Sequence, residues 1–145
     1  MKALRSLRQL LEIRNLRADS LSRGLSEARA DAERASEEEA RATAARDIAA
    51  NRAAGDPIIE ELCKDGIILA SRLQDAVMRQ SLLRGHEADA GALLEKRKLA
   101  RLAAQERAER AAGEFTEAQK AVLRIEIHLN RRKCWREASR PGRIL

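Results

Sequence analysis

Aromatic rings are almost missing from this sequence: one Phe, one Trp and no Tyr in 145 residues. A globular core of such length ordinarily fills its centre with several large rings, so a thick central core is not expected. Two prolines and seven glycines are too few punctuators for a many-stranded sandwich or a doubly wound sheet. Two cysteines, Cys63 and Cys134, form no C-x-x-C unit. They are too few for a secreted disulfide scaffold and read as reduced thiols in a cytosolic setting. No run approaches eighteen apolar residues, so no membrane span is expected. Near the start, Leu4 and Leu7 are interrupted by Arg5 and Arg8, which leaves no apolar core for a signal peptide. Glu12 and Asp19 argue against a mitochondrial presequence.

What remains is charge and small apolar residues. Charged residues make up 36% of the chain and hydrophobic ones 44%, with alanine at 28 positions and leucine at 19. That bias, carried on a repeat near 3.5, marks long helices or a coiled coil. The sustained periodicity separates the chain from a disordered one of similar composition.

In the first half, positions 4, 11, 18, 25, 32, 39, 46 and 53 read Leu, Leu, Ala, Leu, Ala, Glu, Arg, Ala. Three residues after the first seven come Leu7, Arg14, Leu21, Ala28, Ala35, Ala42 and Ala49. This is a heptad seam with Arg14, Glu39 and Arg46 as polar exceptions. It stops at Ala54-Gly55-Asp56-Pro57, where Gly suits a helix end. Asp56 and Pro57 suit the cap and first position of a new helix, with Glu60 and Glu61 in its first turn. The second half holds its own phase: Leu62, Leu69, Ala76, Leu83 and Ala90 lead one row through to Ile125, and Gly66, Leu73, Gln80, Glu87 and Leu94 lead the other through to Leu129. Gly85, Gly91 and Gly113 interrupt the helix without breaking the phase.

Side-chain size chooses the pairing. If the chain folds so that facing residue numbers sum to 132 or 133, Leu4 meets Leu129, Leu7 meets Ile125 and Leu11 meets Val122. The small Ala18 meets Phe115, Leu25 meets Ala108, Ala49 meets Leu83, and Arg46 meets Glu87 with opposite charge. Large against small fills a seam, and paired polar positions fix register. The sequence therefore predicts an all-α fold: a long antiparallel two-helix coiled-coil hairpin, monomeric in isolation. Helix 1 is expected at about 2–54 and the apex at 55–66, with room for a short helix from 57. Helix 2 follows at about 67–139, then a tail at 140–145. Arms of about 55–70 residues would reach roughly 80–105 Å.

Charge is uneven along this hairpin. Residues 1–25 carry Lys+Arg 6 against Asp+Glu 2, residues 120–145 carry 8 against 2, and residues 26–119 carry 15 against 19. Net values of +4, +6 and −4 put about +10 where the termini would meet. That end is either a solvated tip or a docking end for an acidic surface.

No catalytic pattern is present. His86 and His128 lie far apart with no partner at ligand spacing, and there is no Gly-rich phosphate loop and no G-x-S-x-G. Neither an enzyme, a cofactor nor a metal site is expected. A pI near 10.0 and the run Arg131-Arg132-Lys133-Cys134-Trp135-Arg136 suggest nucleic acid, but one Trp is no stacking platform and no binding motif accompanies it. The stretch from Leu62 to Leu83 holds more apolar residues than one seam needs. It is either a small helical cap or a partner-binding stripe of Leu69, Leu73, Ala76 and Gln80.

The opening Leu7-Arg8-Gln9-Leu10-Leu11-Glu12-Ile13-Arg14-Asn15-Leu16-Arg17-Ala18, the mid-chain Val77-Met78-Arg79-Gln80-Ser81-Leu82-Leu83-Arg84 and the closing Lys133-Cys134-Trp135-Arg136 resemble the stalk proteins of type III secretion systems, the YscO/FliJ family. The resemblance implies a coiled coil similar to the paired terminal helices of a rotary ATPase gamma subunit. It implies a non-enzymatic adaptor, cytoplasmic and at the inner-membrane base of a secretion apparatus. Its partners would be the hexameric export ATPase, the cytoplasmic ring of the export gate and export chaperones. It would touch the membrane through these partners only and bind no nucleic acid. Carried onto this sequence, the basic end would face the ATPase ring through Arg5, Arg8, Arg14, Arg131, Arg132, Lys133 and Trp135. Leu69, Leu73, Ala76 and Gln80 would face the gate. Two other readings stay open: a purely structural coiled-coil oligomer or scaffold, and a binder of nucleic acid or another acidic polymer.

Overall fold

The computed structural model describes residues 2–55 and 70–139. Two helices account for nearly all of them, α1 at Lys2–Ala53 and α2 at Ala70–Ala138. The fold is all-α, an antiparallel helical hairpin, and no strand occurs among the described residues. Neither helix contains proline, and both are built of Ala, Leu, Glu, Arg and Lys, whose side chains lose little freedom in a helix. α1 ends where the sequence places its stop: Gly55 takes φ = 137°, a backbone conformation that costs a residue with a Cβ. α2 ends on Ser139, whose backbone N–H and Oγ both donate to the Trp135 carbonyl, at 3.0 and 2.7 Å. The cap at Asp56-Pro57, the short helix from 57, the apex at Asp65-Gly66 and the tail at 140–145 lie outside the described residues.

The chain divides into two compact units, one of Met1–Ala30 with Gln105–Leu145 and the other of Asp31–Ala104. In the first, Leu25 and Leu129 are buried. Leu4, Leu7, Leu11, Ala18 and Leu21 are half-buried on α1, and Ala108, Phe115, Ala118, Val122 and Ile125 on α2. Ala18 and Phe115 line one shallow hollow together, so the single Phe sits beside a small residue as the size argument requires. In the second unit the buried residues are Ala42, Ala53, Ala76, Leu94 and Ala104, with Leu94 only 2% exposed.

Burial follows the heptads residue by residue. On α1 from Leu4 to Ala42, every seam position is buried or half-buried and every other described position is exposed. On α2 the same seam is covered from Ala76 to Leu129. In the second unit the amide Nε2 of Gln80 donates to the carbonyl of Ala53, a pair whose numbers sum to 133. This bond also satisfies one of the carbonyls left open at the end of α1.

One pairing departs from expectation. Arg46 is exposed and makes no ion pair with Glu87 among the described residues. A long cationic side chain flanked by alanines keeps its head hydrated by swinging outward, and a half-exposed ion pair returns too little to hold it. Charge crosses between the helices elsewhere instead. Arg97 Nη1 donates to Glu38 Oε2 at 2.9 Å, and Arg101 Nε donates to the carboxylate of Glu39. The Glu39–Arg101 pair is the more enclosed, with side chains 19% and 28% exposed.

Candidate functional site

In the first unit Arg5, Arg8, Arg131, Arg132, Lys133 and Trp135 are all exposed, while Arg14 is half-buried in the seam. Lys2, Leu4, Arg5 and Arg8 of α1 line an open hollow of about 420 Å³ together with Arg136 of α2. Four cations therefore converge from the two ends of the sequence, and among the described residues none has a carboxylate within 4.0 Å. The unit as a whole carries Lys+Arg 17 against Asp+Glu 9, a net +8.

Part of this charge works against folding. The first turn of α1 has no acidic residue and holds Lys2 and Arg5. Cations at a helix N-terminus oppose its dipole, by roughly 0.3–1 kcal/mol each at low salt. Trp135 is 72% exposed, and Arg131 and Arg132 lie one turn before it on the same face. A large ring in water next to guanidinium groups is surface available to a partner rather than packing material. Cys134 is a free, exposed thiol.

The expected gate-facing stripe divides. Leu69 lies outside the described residues. Leu73 is 37% exposed. Ala76 is buried, and Gln80 is half-buried with its amide bonded to α1, so these two hold the helices together and present little surface. The reason is geometric: the stripe followed the heptad seam, which is the face turned toward α1. The exposed apolar residues in this part of α2 are Val77, Met78 and Leu82, at 56%, 60% and 65%. Met78 and Leu82 are four residues apart, so their i, i+4 spacing marked the outer stripe in the sequence, one step round the helix from the seam.

Among the described residues no group of His, Cys, Asp and Glu is placed to hold a metal ion, and His86 and His128 are both exposed. No described helix is long and apolar enough to cross a membrane. Three open hollows in the first unit are lined by a mixture of charged, polar and apolar side chains. Comparison with protein-family models, with curated proteins and with solved structures finds no match for this chain.

Proposed function

We propose that this protein is a non-enzymatic stalk or adaptor of a type III secretion export apparatus, linking the hexameric export ATPase to the export gate and helping to handle substrates or chaperones. The observation that carries this reading is the basic end. Lys2, Arg5, Arg8 and Arg136 are gathered around one hollow with no carboxylate partner among the described residues, and Trp135 stands exposed beside Arg131 and Arg132. Charge held against the dipole of α1 and a ring held in water are costs that a partner's acidic, partly apolar surface would offset. The sequence resemblance to secretion stalks supports the direction of this proposal, with the basic residues toward the ATPase ring and residues 69–82 toward the gate. For the gate contact, Leu69 and Leu73 are joined by the exposed Val77, Met78 and Leu82. Ala76 and Gln80 act beneath them by positioning α2. Under this reading the protein works in the cytoplasm at the inner-membrane base of the apparatus.

The test is co-purification with the export ATPase across a salt series. Reversing Arg5, Arg8, Arg131 and Arg132 to Glu weakens the association, most strongly at low salt, because salt already screens exposed attraction. Binding that is unchanged at every ionic strength removes the ATPase contact from this end. Binding that disappears with nuclease treatment transfers the protein to the nucleic-acid class.

A structural oligomer is the second reading, favoured by exposed Ile13, Leu16, Leu99 and Leu102, which are 51–68% exposed. A multichain bundle would cover them. Sedimentation equilibrium separates the two: a monomer supports the adaptor, and a concentration-dependent oligomer supports the scaffold.

A further inference from the structure

In the unit of Met1–Ala30 with Gln105–Leu145, one side of the groove between the helices opens into a trough of about 760 Å³. Small and apolar residues line part of it: Leu21 from α1, and Gly113, Ala118 and Ala121 from α2. A Cβ added at Gly113 would meet nothing within 4 Å, so the space above this residue is open. Arginines supply much of the remaining wall. Arg14 occupies a seam position, half-buried, between seam neighbours Leu11 and Ala18. Arg17 and Arg124 join it, and among the described residues none of the three has a carboxylate within 4.0 Å.

A half-buried guanidinium without a partner is costly, and its planar fork matches a carboxylate or a phosphate. Two features choose between these. Glu114 and Glu117 also line the trough, so its wall carries both signs and suits carboxylates spaced along a helix, each beside an arginine, over a dense polyanion such as a phosphate chain. The apolar lining offers such a ligand nothing. Next to the trough, one turn before Arg14 and Arg17, Leu10 and Ile13 are 40% and 62% exposed and extend the apolar surface. From Arg110 to Arg124 the trough runs about 21 Å along α2, close to four turns of a helix.

We propose that this trough docks an acidic amphipathic helix of a partner protein. Its apolar face lies on Leu21, Gly113, Ala118 and Ala121, and its carboxylates engage Arg14, Arg17 and Arg124. The proposal does not rest on the secretion-stalk reading, since any partner that presents such a helix satisfies it.

The probe is a fluorescein-labelled synthetic helix of about 15 residues, with Leu and Ala on one face flanked by Glu. Its binding to the full chain is followed by anisotropy. Circular dichroism first establishes that each variant is as helical as the parent. The expected result is binding that weakens at least about tenfold in the triple variant Arg14→Gln, Arg17→Gln, Arg124→Gln. Gly113→Phe, which fills the open space without removing any charge, should weaken it to a similar degree. Arg23→Gln with Arg29→Gln, exposed and outside the trough, should change it by less than about twofold. A peptide with Lys in place of Glu should not bind. The proposal is overturned if the Glu peptide does not bind at about 1 mM. Equal weakening by the trough and the Arg23/Arg29 variants, or no effect of Gly113→Phe, overturns it in favour of diffuse charge attraction. Displacement by pyrophosphate or heparin at a lower concentration than unlabelled peptide reassigns the trough to a polyanion. Self-association that Gly113→Phe abolishes reassigns it to a second copy of this chain.

Discussion

Leu94 is the most enclosed large side chain of the described residues, 2% exposed on α2. Its replacement by alanine deletes three carbons. At ~0.8 kcal/mol per buried methylene-sized group, the transfer cost alone is ~2.4 kcal/mol. Incomplete collapse of the space left behind adds to this, and the better helix propensity of alanine returns only a few tenths, so about 3 kcal/mol is expected in total. Leu99, five residues along the same helix, is 68% exposed. Leu99→Ala should stay within ~0.5 kcal/mol of the parent. Urea unfolding followed by circular dichroism at 25 °C reads both from the midpoint shift, with the slope checked for constancy. In thermal scans, Leu94→Ala should lose roughly 6–12 °C. Equal losses at Leu94 and Leu99 would refute the assignment of inside and outside on α2, and with it the two-helix seam. Such a result would mean that Leu99 is covered by another chain.

Other substitutions test separate parts of the structure. Gly55 and Gly85 should respond with opposite signs to alanine. Gly55→Ala forces a Cβ into φ = 137° and should cost ~1–2 kcal/mol, while Gly85→Ala, in mid-helix with open space around it, should gain up to ~1 kcal/mol in chemical denaturation. A double-mutant cycle on Glu39 and Arg101, changed to Gln and Met, should give about 1 kcal/mol of coupling, against a few tenths for the more exposed Glu38 and Arg97. Indistinguishable couplings would show that neither pair fixes the register. Ala76→Asp should cost roughly 3 kcal/mol by burying a carboxylate against α1, whereas Met78→Asp and Leu82→Asp should each cost under ~1 kcal/mol of thermal stability. If the latter pair also lowers secretion while ATPase binding persists, the outer stripe is the gate contact. A melting loss at Met78 as large as at Ala76 would make that stripe core.

The helix pairing was legible in the sequence because one variable, heptad phase, controls burial in a two-helix structure. From Leu4 to Ala42 the covered residues are those the repeat names, and the stop at Gly55 could be read from one residue type. Side-chain reach was not legible. Arg46 and Glu87 occupy facing seam positions, yet Arg46 turns to solvent, because a flexible cation selects hydration over a partly exposed pair. Surface assignment failed for a related reason. Ala76 and Gln80 belong to the seam by spacing, so their burial followed from the same repeat that found them, and the outer stripe of Val77, Met78 and Leu82 needed a second phase to be read. The convergence of Arg14, Arg17 and Arg124 beside Gly113 joins α1 to α2 across about a hundred residues of sequence. Only the antiparallel register brings them to one trough.

That register is tested most directly by crosslinking. Asn15 and Gln119 are exposed, lie on different helices and line the same hollow. With Cys63 and Cys134 changed to Ser, cysteines at 15 and 119 should be joined by a short bismaleimide within one molecule. The product should run as a monomer at micromolar protein, and peptide mapping should show the 15–119 link. Cysteines at 15 and 105, displaced by about 21 Å along α2, should remain unlinked. Predominantly interchain products from the 15/119 pair, or equal intrachain yield from the 15/105 pair, would contradict an antiparallel hairpin in this register.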